Sequence, residues 1–313
     1  MALSASFDFS LNTNEFIKEA LLEAGVTDEN ESPSNVMNEF ARRRFNMMLK
    51  SWQGDGLQLW IHREAFIFLE KAKVTYSLPG DNFTESYTET AVKTAASSAA
   101  TTLDVDSTSG MTAADYIGVE VDDGTMHWTT VASVTDSDTV ELTDALDDDA
   151  AVDNVVYFYT TQAPRPLRIT DCTRKVNGGT ETTMWPDARS DYWGLSDKST
   201  SGTPSQYWFS PYRSASELRL YQPSDKATDI LKVICHFPFD DLDSGTDDIV
   251  FPSYWYEAIF YGLAYRLAVK YKVLETRDMK ILRDMAKSRK DAALDFDVEP
   301  ENIELEPDER GLY

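Results

Sequence analysis

The sequence predicts an α+β protein: a helical body built from both chain ends, central antiparallel strands, and a small all-β module, sandwich or barrel, inserted among them. Three observations predict it. Helical periodicity is confined to residues 14–52 and 253–293. Between them, β-branched and aromatic runs are broken by Gly, Pro and Asp clusters. The charge is also uneven. Of a net −25, residues 91–160 hold fourteen Asp/Glu against one Lys, and residues 295–313 hold eight against one Arg. Two acidic segments are thus attached to a nearly balanced remainder.

Each element has a local reason. In 14–24, Ile17, Ala20, Leu21 and Ala24 fall on one helical face, and Gly25 is a good stop. Ser32 or Ser34 caps a second helix reaching Trp52, with Met37, Phe40, Ala41, Phe45, Met48 and Leu49 on its apolar face. Residues 65–69 and 73–78 read as strands, ended by Pro79-Gly80-Asp81. Residues 88–102 are a Thr/Ala/Ser-rich linker or a solvated strand.

The strands 116–121 and 126–134 flank Asp122-Asp123-Gly124, a hairpin signal, and 139–143 and 154–160 follow. Further strands are expected at 167–170, 206–210, 217–221 and 230–237 within a loop-rich stretch. Pro252 opens a helix over 253–271 that is apolar on most faces and should be the most buried. A last helix spans 275–293. The expected organisation is a body of residues 1–90 and 161–295, the inserted module 91–160, and an extended acidic tail 296–313.

Composition narrows function. A chain of 313 residues that is 42% hydrophobic is long enough for a large core. Its acidity disfavours a tight grip on nucleic-acid phosphates and attraction to anionic membranes. The most apolar stretch, 251–269, contains Glu257 and Arg266 and reads as a buried helix rather than a membrane span. The N-terminus lacks a basic segment followed by an apolar run, so no signal peptide is expected. Two cysteines, Cys172 and Cys235, do not make a disulfide framework.

Chemical motifs are sparse. His62, His127 and His236 lie far apart in the sequence, in three different elements. Asp104, Asp106 and Asp115 in a Ser/Thr-rich stretch resemble a calcium loop, but the glycine stands one position late and flanking helices are missing. The competing reading is a polar strand and turn. No nucleophile elbow, phosphate loop or dinucleotide fingerprint occurs. No catalytic residue, cofactor or metal is assigned, and the chain is read as a non-enzyme.

Two basic runs stand out in this acidic chain. Arg42, Arg43 and Arg44 either bracket the apolar face of their helix or contact another subunit. Lys280, Arg283, Lys287, Arg289 and Lys290 form a candidate docking face for an acidic tail, from the same copy or a neighbour. The tail, with Phe296, Ile303 and Leu305 as apolar members, is suited to adding to a neighbour's sheet or groove.

Three ordered segments resemble a known family. The first is Met47-Met48-Leu49-Lys50-Ser51-Trp52 followed by Gly56-Leu57-Gln58-Leu59-Trp60 and, further on, Tyr76-Ser77-Leu78-Pro79. The second is Arg189-Ser190-Asp191-Tyr192-Trp193-Gly194-Leu195, then Lys198, Gly202, Pro204 and Tyr207-Trp208-Phe209. The third is Phe251-Pro252-Ser253-Tyr254-Trp255 with its helix. Together they resemble the portal adaptors, or packaged-DNA-stabilisation proteins, of short-tailed bacteriophages.

The resemblance implies a virion structural protein at the head–tail junction, made in the host cytoplasm. It implies a ring of about twelve copies under the portal protein that extends the DNA channel and receives a tail or nozzle protein. Packaged DNA would pass through without specific binding. The shortest family members lack a segment like 91–160. A tail-tube or nozzle ring is the alternative reading, and a cell-wall hydrolase carried in the tail a more distant one.

Overall fold

A computed structural model describes residues 11–54, 61–176, 179–249 and 251–297. It divides into two compact units. One gathers the described residues of 1–60 and 239–313, and the other those of 61–238.

The first unit is helical. Helix α1 (Thr13–Glu23) begins at a capping box, in which Asn12 and Glu15 satisfy each other's backbone N–H. Helix α2 (Asn35–Trp52) is capped by Ser34, which accepts from the Met37 N–H. Phe16 stacks on Phe45 at 5.4 Å between the two. Helix α4 (Tyr256–Tyr271) follows a 3-10 turn at Ser253–Trp255 and packs against α1, α2 and the last helix. Its buried residues include Ala258, Gly262, Ala264 and Ala268. These small side chains let neighbouring helices approach, and a Cβ on Gly262 would meet Met48 Sδ and the Trp52 ring at 3.0 Å. The last helix, α5 (Thr276–Phe296), packs on α4 and buries only Leu282 and Ala293.

The second unit is all sheet apart from the short helix α3 (Arg189–Gly194). Two sheets share one core. The first contains β1 (His62–Phe68), β3 (Phe83–Thr84), β10 (Arg168–Lys175), β11 (Glu181–Thr183) and β15 (Ile230–His236), in the order β11-β10-β15-β1-β3. The second contains β2 (Thr75–Leu78), β12 (Trp185–Pro186), β13 (Gln206–Pro211) and β14 (Ser216–Tyr221), in the order β12-β13-β14-β2. Strand β14 shows the logic: Ser216, Leu218 and Leu220 are buried while Glu217, Arg219 and Tyr221 are not. Its leucines join Ile67, Tyr76, Tyr207, Leu231 and Val233 in a continuous core.

The third sheet is built from β4 (Thr88–Ala91), β5 (Thr102–Asp104), β6 (Tyr116–Glu120), β7 (Met126–Val134), β8 (Thr139–Leu142) and β9 (Val155–Tyr159). Its order is β4-β9-β6-β7-β8-β5, and a bridge between Val92 and Val105 brings the outermost strands together. The sheet therefore curls into a small barrel-like module around Val119, Val131, Val140, Val156 and Phe158. The hairpin turn forms where expected, with Gly124 at φ +78°. A second cluster, with Phe68 within about 5 Å of the Tyr87, Trp128 and Tyr157 rings, packs this module onto β1.

The expected α+β fold on a helical body is corrected by this structure. The described residues are mostly strands in three sheets, with 27% helix. The sequence reading undercounted the sheets for a physical reason. Several strands are two to four residues long, and β11 is wholly exposed. Such strands carry little alternation and are held by neighbours distant in sequence, as β1 is by β15.

Candidate functional site

The cysteines and histidines of the second unit lie on its strands. The Cys172 thiol is buried on β10 and its pKa is pushed up to about 12 by desolvation; Cys235 on β15 is raised for the same reason. Thiols held neutral in this way are poor nucleophiles. His62 and His236, though far apart in sequence, are cross-strand partners with ring centroids 5.2 Å apart. Burial, His62 and Arg168 together lower the His236 pKa. His127 reaches the exposed Asp147 through Nδ1 at 2.7 Å.

The residues whose spacing suggested calcium are used otherwise. Asp115 is buried and accepts from the N–H and hydroxyl of Thr112. Asp104 accepts from the Thr139 hydroxyl on the adjacent strand. This is the polar strand and turn reading. Among the described residues, no three His, Cys, Asp or Glu side chains gather as metal ligands.

The buried ion pair of this unit is Arg174 with Asp229, at 2.7 Å, with Asp229 fully buried. It joins β10 to the loop before β15. An aromatic cluster lies on the four-stranded sheet, where Arg219 sits 5.2 Å from the Trp193 ring centroid and 5.7 Å from that of Trp208. Trp193 is half exposed and Trp185 more so. The sequence reading singled out neither Arg219 nor Trp185.

The helical unit carries a further set of exposed side chains. Large apolar side chains are exposed on three of its helices: Val36 and Met47 on α2, Val269 on α4, and Ile281 and Phe296 on α5. The basic runs found in sequence are divided by the fold. Arg43 pairs with Glu39 across a helical turn, Arg44 lies 5.2 Å from the Phe40 ring, and Arg42 is half-buried. On α5, Arg289 turns to Glu257 of α4 at 3.0 Å, and Lys290 lies 5.0 Å from the Trp52 ring. Lys280 and Lys287 stay exposed, and Arg283 pairs with the adjacent Asp284.

The end of α5 is clamped. The buried Asp297 carboxylate accepts from the Tyr254 hydroxyl at 2.6 Å and the Trp255 indole N–H at 3.1 Å. Burial and this carboxylate hold the Tyr254 phenol well above its usual pKa. Phe296 lies against Tyr254 at 4.7 Å yet remains exposed. Ile303 and Leu305 of the tail lie outside the described residues.

No protein-family model matches this chain, and a search of curated proteins finds no relative. No helix among the described residues is long and apolar enough to cross a membrane. Exposed apolar side chains mark faces of α2, α4 and α5.

Proposed function

We propose that this chain is a ring-forming structural subunit of a virus particle, a head-to-tail adaptor that docks under the portal, extends the DNA channel and attaches the tail. One observation carries the reading: a 21-residue helix, α5, that buries only Leu282 and Ala293 within its own chain. A helix of this length is stabilised mostly by the face it buries, and a lone chain leaves most of this one in water. Neighbouring subunits supply the missing cover. The resemblance of three segments to portal adaptors supplies the identity of the assembly.

The charge fits such a role. Twelve copies of a −25 chain carry about −300 in total. Any of that facing a lumen repels DNA from the wall and lets it slide. Electron microscopy of particles with this chain labelled tests the proposal. Label in a ring at the head–tail junction is expected; label on the tail tube or nozzle alone, or no particle-bound label, contradicts it.

A further inference from the structure

The exposed faces of α2 and α5 are complementary, and we infer that they form the contact between neighbouring copies, with α2 of one copy packed against α5 of the next. The inference rests on the ring reading above and names the surfaces that build it.

Helix α5 presents two stripes to solvent. With 3.6 residues per turn, positions separated by seven and eleven residues share a face. Asp284, Asp291 and Asp295 stand in that relation and are all exposed. They make an acidic crest opposite the side that packs on α4. Ile281 and Phe296 flank the crest on one side, with Ala292 and the half-buried Met285 between them. The small side chains of Ser288 and Ala292 leave two shallow grooves along this border. One is bounded by Ile281, Asp284, Met285 and Arg289, the other by Asp284, Asp291 and Asp295 with Lys287 at its edge.

Helix α2 presents the counterpart. Val36, Arg43 and Met47 are exposed and stand in the same seven- and eleven-residue relation, with the half-buried Phe40 and exposed Arg44 beside them. This ridge is apolar and basic where the α5 face is apolar and acidic. Side-chain ridges of one helix pack into grooves of another. Val36, Phe40 and Met47 suit the Ile281–Ala292–Phe296 border, while Arg43 and Arg44 suit the aspartate crest. The present partner of Arg43, Glu39, is an exposed pair of little worth and easily exchanged.

The two faces lie on different helices, each packed on α4. A contact between two different faces is heterologous, and a heterologous contact closes into a ring when its rotation allows. Two identical faces meeting would instead stop at a dimer.

Cysteine linking tests the contact on the assembled form, alone or on portal rings. The native thiols are buried and do not compete. The double variant M47C/I281C should give a ladder of linked multimers on mild oxidation. Mixing the M47C and I281C single variants should give linked dimers. Homodimers of either single variant, or rings that form without a Met47–Ile281 link, overturn this interface while leaving the ring reading standing. A chain that stays monomeric with and without portal rings overturns both. As a second measurement, R43E/R44E should raise the concentration for half-assembly roughly tenfold or more. D284K/D291K in the same chain should restore it; no change in either variant counts against the contact.

Discussion

Asp297, the residue just past α5, receives the indole N–H of the buried Trp255 at 3.1 Å while its other oxygen takes the Tyr254 hydroxyl. The carboxylate thus ties the end of the last helix to the start of α4. Replacing Asp297 by Ala leaves a buried indole donor without its acceptor, which costs about 1–3 kcal/mol. Chemical denaturation of Asp297→Ala should show that loss, and Trp fluorescence should respond. An unchanged midpoint would mean the clamp is idle.

In the barrel-like module, Gly118 of β6 faces Trp128 of β7 across the hairpin. A Cβ at Gly118 would lie 2.8 Å from the indole ring. The ring cannot swing away cheaply, because Phe68 and Tyr159 pack against it at 5.1 and 6.0 Å. Gly118→Ala should destabilise by about 1–3 kcal/mol through overpacking. Adding Trp128→Leu to that variant should recover part of the loss. A neutral Gly118→Ala would show that the hairpin adapts.

In the Arg174–Asp229 pair Asp229 is fully buried and Arg174 largely so, and removing Asp229 strands a guanidinium with little access to water. Asp229→Ala should cost roughly 3–5 kcal/mol. Replacing both partners with apolar residues should cost less than Asp229→Ala alone. Equal losses in the single and double variants would indicate that packing, not the stranded charge, sets the penalty.

His236 gives a pH dependence with a defined sign. Its folded pKa lies below the ordinary histidine value, through burial and the nearby His62 and Arg168. The unfolded chain therefore binds the proton more readily than the folded one. Its contribution is intact above the unfolded value of 6.5 and is lost as pH falls through that value toward the lower folded one. Stability curves for the parent chain and His236→Gln should converge on acidification across that window. Parallel curves would remove His236 as the cause.

Much of the helical unit was legible in sequence. The Gly25 stop, the Ser34 cap and the apolar periodicity of α2 are local signals there, as is the Asp123-Gly124 turn in the second unit, and their elements begin or end within a few residues of expectation. The two-sheet core was not legible. Tyr76, Leu218 and Val233 meet in one cluster from strands scattered over more than 150 residues, and no local pattern encodes that meeting.

The surface was half legible. Read in a line, Lys280 to Lys290 is a basic stretch. Wound into a helix, Arg289 and Lys290 turn toward Glu257 and Trp52, and the outward crest is aspartate. Counting charge by helical face rather than by segment would have found it.

The central claim is that this chain is built to be covered by copies of itself. Mass measurement of the purified chain, alone and mixed with portal rings, tests it most directly. The account predicts a discrete species of about twelve copies, seated on the portal where portal is present. A monomer at every concentration that fails to bind portal rings would contradict it.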